Sequence, residues 1–133
     1  MQEKDWKPNF KKKIAWTSHA QAKMKFYKLS RQRVLRVLHS PKRIEEGVAP
    51  KTVAAMQPAS VKMARVRSSG AAPEGRPRET WNQELWVMVE DTAKERKIIS
   101  AWRYPGMSKP RSAITLGHMR QEFEEYQKGG LSD

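Results

Sequence analysis

The chain of 133 residues contains no cysteine, which removes disulfides and thiolate-bound zinc and leaves nothing that asks for an oxidising compartment. It also lacks a long apolar run. The opening residues MQEKDWKPNFKKKIAW mix both signs of charge with scattered aromatics, and no later segment would span a bilayer. A soluble, cytoplasmic protein with no membrane partner is the expectation. Missing too are HExxH, histidines paired at ligand spacing, a Gly-rich phosphate loop and a GxSxG elbow, so zinc proteases, nucleotide-binding folds and serine hydrolases find no support. His19, His39 and His118 stand far apart in sequence, and a metal site would have to be assembled in three dimensions. No metal and no cofactor is expected.

Acidic residues are scarce in one half of the chain. Against 27 Lys+Arg there are 14 Asp+Glu, a net charge of +13, and residues 1–78 hold 19 of the basic and 5 of the acidic groups. Residues 79–133 are nearly neutral, with 8 basic and 9 acidic. The basic half is a footprint for a polyanion. Nucleic acid is the commonest partner of that kind, although an acidic protein would feel the same field. The residues assigned to nucleic-acid binding are Lys11, Lys12, Lys13, Lys25, Lys28, Arg31, Arg33, Arg36, Arg65 and Arg67.

What is present reads as one α+β domain over residues 14–128, preceded by a basic lead-in over 1–13, interrupted by a loop-rich insertion over about 47–80 and followed by a tail over 129–133. Lys13 to Trp16 reads as a short strand. Ser18, followed three residues later by Gln21, makes a capping box that places His19 and Ala20 in the first turn of a helix. Ala20, Met24 and Tyr27 then face inward at helical spacing. Ser30 caps a second helix whose Val34, Leu35, Val37 and Leu38 form an apolar face, and Pro41 ends it. KRIEEGV reads as a short strand, APKTVAAMQPAS as irregular, VKMARVRS as an edge strand and SGAAPEGRPRET as a Gly/Pro-rich loop.

NQELWVMVED and KERKIISAWRY form a β-hairpin. Leu85, Val87 and Val89 share one face of its first strand; by alternation Ile99, Ala101 and Arg103 share one face of its second, with Ile98, Ser100, Trp102 and Tyr104 on the other. A last helix begins near Ser112, carries Ile114, Met119, Phe123 and Tyr126, and stops at Gly129. Two N-terminal helices and a C-terminal helix would pack on one side of a small, curved antiparallel sheet, leaving its other face open.

A basic domain with Arg, Lys, His and Tyr has the groups that metal-free RNA cleavage needs. A base must take the 2′-hydroxyl proton, cations must stabilise the pentacoordinate phosphate, and an acid must protonate the departing 5′-oxygen. Arginine suits the second task and histidine the two proton transfers. HAQAKMKFYKLS, His19 to Ser30, followed by a second helix and later by KIISAWRY, resembles the BrnT-type ribonuclease toxins and their relatives in the wider RelE-like group. His19 and Ala20 match that pattern, Lys23 stands where the family often has arginine, Met24 matches, and Ile99, Ser100, Ala101 and Arg103 approximate its last strand, with Trp102 interposed.

The resemblance spans about residues 14–105. It implies a RelE/BrnT-like fold and a metal-independent endoribonuclease toxin that acts on RNA, at the ribosome or elsewhere, and is neutralised by an acidic antitoxin. It also implies His19, Lys23 and Arg103 as the catalytic set. Each has a plainer alternative: His19 as a first-turn residue bonded to nearby backbone, Lys23 as ordinary helix surface on His19's face, Arg103 as a strand end in a salt bridge to a glutamate of the last helix. A non-catalytic RNA- or ribosome-binding module, or a basic interaction module for an acidic protein, would need only the charge. Tyr27, Trp86 and Trp102 read as core, Tyr104 is open, and Trp81 is a candidate stacking residue. The run Glu122, Glu124, Glu125 reads as a solvated face, and His39 and His118 fall outside the site.

Overall fold

The computed structural model describes residues 12–65 and 77–129. In chain order its elements are β1 (Lys13–Trp16), α1 (Ser18–Tyr27), α2 (Arg31–His39), β2 (Arg43–Glu46), β3 (Thr52–Pro58), β4 (Lys62–Arg65), β5 (Pro77–Thr80), β6 (Gln83–Asp91), β7 (Glu95–Pro105) and α3 (Ala113–Gly129). The lead-in and tail lie almost wholly outside the described residues, as does the Gly/Pro-rich loop up to its end in β5. Among the described residues, no helix is long and apolar enough to cross a membrane.

Capping of α1 differs from the expected box by one residue. Thr17, in extended backbone, accepts the Ala20 N–H at 3.0 Å, while its hydroxyl donates to the Ile98 carbonyl at 2.8 Å. The same side chain therefore starts the helix and ties it to β7, and Ser18 is the first helical residue. Gln21 donates instead to the Trp16 carbonyl at 3.1 Å. The second cap is as expected, with Ser30 accepting from the Arg33 N–H at 3.0 Å. Val34, Val37 and Leu38 turn inward from α2, but Leu35 is 39% exposed. At 100° per residue it lies off the stripe those three define.

The main sheet has the order β1-β7-β6-β3-β2. β2, β3, β6 and β7 are mutually antiparallel neighbours, but β1 runs parallel to β7, pairing Lys13 to Trp16 with Glu95 to Ile98. The sheet is thus mixed rather than antiparallel. β4 and β5 form a separate two-stranded ribbon. Within the stretch expected to be a loop-rich insertion, β3 lies between β6 and β2, and Thr52 to Met56 are all buried. A strand covered on both faces shows no polar alternation, and its two alanines carry little strand preference.

Helices cover both faces, so neither stays open. On one side Ala20, Met24 and Leu29, with Val34, Val37 and Leu38 of α2, pack on Val53, Ala55, Leu85, Val87, Val89, Ile98 and Ala101. On the other, Met119 and the half-buried Leu116, Phe123 and Tyr126 of α3 pack on Ala54, Met56, Trp86, Met88, Ile99 and Trp102, while Ile114 points outward. A bulge sets this division. Met88 faces Ser100 but Val89 faces Ile98, so Ile99 is an extra residue in β7. Its insertion puts Ile99 and Ser100 both on the α3 side and breaks the alternation expected to join Ile99 with Ala101 and Arg103.

A polar network fixes where α3 begins. Arg43, Met56, Trp86 and Trp102 occupy one row across four strands. The two indoles stack at 6.0 Å, and the Arg43 guanidinium lies 5.3 Å from the Trp86 ring centre. Buried Glu84 accepts from the indole N–H of Trp81 and Trp86 at 2.8 and 3.0 Å, and from the backbone N–H and hydroxyl of Ser108 at 2.9 and 2.6 Å. Arg43 donates to Ser108 Oγ at 2.6 Å, and Glu45 accepts the Arg111 N–H at 3.0 Å. The segment entering α3 is anchored at both ends.

Gly47 closes the β2–β3 hairpin, donating its N–H to the Thr52 carbonyl at 2.8 Å. A Cβ there would overlap the Thr52 side chain and its backbone carbonyl carbon. Gly47→Ala is expected to lower stability by about 1–3 kcal/mol, read as a reduced midpoint in urea; an unchanged midpoint would show that the hairpin relaxes freely.

Candidate functional site

The three elements α1, β7 and α3 converge on one carboxylate. Glu122 comes from the inward stripe of α3 and is only 2% exposed. Its Oε1 lies 3.0 Å from His19 Nε2 and accepts from Ser100 Oγ at 2.5 Å; its Oε2 lies 2.9 Å from Lys23 Nζ and 3.6 Å from His118 Nε2. His19 and Lys23 reach it because they stand four residues apart, on one face of α1. Ser100 reaches it because it alternates with Trp102 on the α3 face of β7, opposite Met88 of β6. His118 sits one turn before Glu122 on α3 and stacks on Trp102 at 4.8 Å between ring centres.

Burial by itself would push the Glu122 carboxyl up, but hydrogen bonds from His118, Ser100, Lys23 and His19 more than reverse this and hold it at about 2. Burial likewise pulls Lys23 down, and the hydrogen bond and charge of Glu122, with smaller contributions from Tyr27 and Glu125, raise it above the ordinary lysine value. The result is an anion that stays ionised beside a lysine that stays charged. The side chains of His19, Lys23 and His118 keep 13%, 21% and 28% of their surface open to solvent, so the carboxylate is sealed while its partners reach the outside.

His19, Glu122 and Glu125 also present ligand atoms within 4.8 Å of one another. A cation there would have to compete with the Lys23 ammonium for the same carboxylate.

The sequence-assigned catalytic residues do not all meet. His19 and Lys23 share the Glu122 cluster. Arg103, on the α1 and α2 side of β7, donates its Nε to the Tyr27 carbonyl at 2.8 Å, one Nη to Gln83 Oε1 at 2.9 Å and the other to the Lys28 carbonyl at 3.5 Å. It caps the C-terminus of α1, where unpaired carbonyls carry partial negative charge. Tyr27 is eight residues from His19, about 12 Å along the helix. The guanidinium at the strand end thus finds its partner in a helix terminus rather than in a glutamate of α3.

The residues assigned to nucleic-acid binding divide in the same way. Lys25 on α1, Lys28 at its C-cap, Arg31 and Arg36 on α2 and Lys13 on β1 are exposed; Arg31 lies 5.0 Å from the Trp16 ring centre. Lys12 is half-buried and bonds Asp91 at 2.7 Å, and Arg33 donates to the carbonyls of Pro58 and Ala59 at 3.4 and 3.1 Å. Lys11 and Arg67 lie outside the described residues, and Arg65 is described only as backbone in β4. Glu122, His118 and Ser100 are the site residues that sequence reasoning missed. The available signal was the spacing of His118 and Glu122, one helical turn apart on the helix that also carries Met119 inward.

No family model matches the chain, and no curated protein or solved structure shows significant similarity to it.

Because the folded-state value of Glu122 lies below its ordinary 4.5, its contribution to stability is complete above that value and is lost as pH falls through about 2. Glu122→Gln is therefore expected to be less stable than the native chain at pH 7, with the difference shrinking as the solution is acidified from pH 5 toward 2. Chemical denaturation at several pH values measures it; a pH-independent difference would show that charge on Glu122 is not what the cluster stabilises.

Proposed function

We propose that this chain is an RNA-binding protein of the RelE/BrnT-like toxin type and that the Glu122 cluster cuts RNA without a metal. The observation that carries the reading is the meeting of two imidazoles and an ammonium on one buried carboxylate, each partner still open to solvent. That set supplies the base, the acid and the cation that intramolecular cleavage of RNA requires.

In this reading Glu122 positions rather than reacts. With His19 Nε2–H directed at Glu122 Oε1, the lone pair of the neutral ring lies on Nδ1, the atom that takes the 2′-hydroxyl proton. The 2′-oxygen attacks phosphorus, Lys23 stabilises the added negative charge, and protonated His118 delivers a proton to the departing 5′-oxygen. A 2′,3′-cyclic phosphate and a 5′-hydroxyl end result. Exposed Lys25, Lys28, Arg31 and Arg36 hold the strand by its phosphates, and an acidic antitoxin would compete for that face. Arg103 serves the scaffold. The deep burial of Glu122 favours one other reading, in which the cluster only locks α1 to α3 and the basic face binds RNA or ribosome without turnover.

Total RNA incubated with the protein at low salt in EDTA is expected to be cut, with loss of about 10²–10⁴-fold in rate for His19→Ala and for His118→Ala. Arg103→Ala should retain cleavage when assayed where it is folded. Salt-sensitive RNA binding without any cleavage would favour the second reading, and undiminished cleavage by the double histidine variant would remove the assigned site.

A further inference from the structure

An exposed phenyl ring stands on the helix that carries His19 and Lys23, one to two turns beyond them. Phe26 is 75% exposed, although isolated apolar residues on a surface are ordinary. Its placement is not. It follows His19 by seven residues, within about 20° of the same stripe of α1 and about 10 Å further along the axis. Lys23 stands between them on that stripe; exposed Lys25 precedes the ring by one residue, about 100° around the helix, and exposed Lys28 caps the helix two residues after it. Tyr27 holds Phe26 edge-on, ring centres 4.9 Å apart and planes at 85°, while Lys23 Nζ lies 5.4 Å from the Tyr27 ring centre.

We propose that Phe26 is a stacking platform for an unpaired base of single-stranded RNA whose phosphates are held by Lys25 and Lys28, an assignment that rests on the RNA-binding reading above. An aromatic face among cations binds any base by stacking while the cations take the backbone. Bases within a duplex are already stacked on one another and cannot reach such a ring, whereas a single strand can turn one outward. The helix then places that strand's next phosphates toward Lys23 and His19. Stacking beside the cluster would confine cleavage to loops, ends and unpaired stretches.

The test is fluorescence anisotropy of labelled 2′-O-methyl oligoribonucleotide, which has no free 2′-hydroxyl to react, as a single strand and as a duplex, over a series of salt concentrations. Phe26→Ala is expected to weaken single-strand binding about 5- to 100-fold with an unchanged salt slope, to leave duplex binding as it was, and to be rescued by Phe26→Trp. Lys25→Ala with Lys28→Ala should reduce the salt slope instead. Since Phe26 is exposed, its thermal midpoint should match that of the native chain. Equal single-strand affinity of Phe26→Ala and native protein overturns the platform while leaving RNA binding intact. Absence of any salt-sensitive binding by the native protein overturns both.

Discussion

A carboxylate removed from water is expensive unless its charge is met by well-placed donors, and an uncompensated one costs several kcal/mol. Glu122 satisfies that condition with groups from three separate elements: His19 and Lys23 of α1, Ser100 of β7 and His118 of α3. None of these is interchangeable with surface charge. If α1 were rotated, Lys23 would be lost, and if β7 were flipped in register, Ser100 would face away. The penalty for misplacing any one element therefore falls on the same anion, which makes the relative arrangement of α1, β7 and α3 a single requirement.

The rest of the α3 face supports that requirement from behind. Glu84 gathers two indoles and Ser108, Arg43 spans from the Trp86 ring to Ser108, and Glu45 takes the Arg111 N–H. These interactions hold the chain between β7 and α3, while Met119 and Trp102 set the depth of the helix. On the opposite face Arg103 fastens the far end of α1 and Thr17 its near end. With both ends of α1 tied to β7 and the start of α3 tied to β2 and β6, His19 and Glu122 have little freedom to separate.

The elements that could be read in advance are those whose signals are local. Ser30 and the Val34, Val37, Leu38 spacing announce α2, and the alternating NQELWVMVED announces β6. β3 was hidden because burial on both faces erases alternation and Ala54 and Ala55 contribute small, weakly strand-favouring side chains. The bulge was hidden because an inserted residue leaves no mark in composition, yet it moved Ile99 to the face that Ser100 and Trp102 already share. The site was half visible. His19 and Lys23 share a turn of one helix, but Glu122 sits in an acidic run indistinguishable from a solvated face until the residue 103 positions away is beside it. Arg103 was misplaced for a related reason: a free helix terminus attracts a guanidinium as an anion does, and sequence does not show which is near.

The separation of His19 from Glu122 bears on when the molecule becomes itself. During synthesis the basic helices and the sheet emerge first, and the carboxylate arrives nearly at the end. Until then an ammonium, an imidazole and a hydroxyl are left without the anion that gathers them, and contacts so distant in sequence are slow to close. A nascent or clipped chain that lacks α3 would carry the attraction for polyanions without the cluster. The order of the elements along the chain thus acts as a timer, separating the acquisition of charge from the completion of the site.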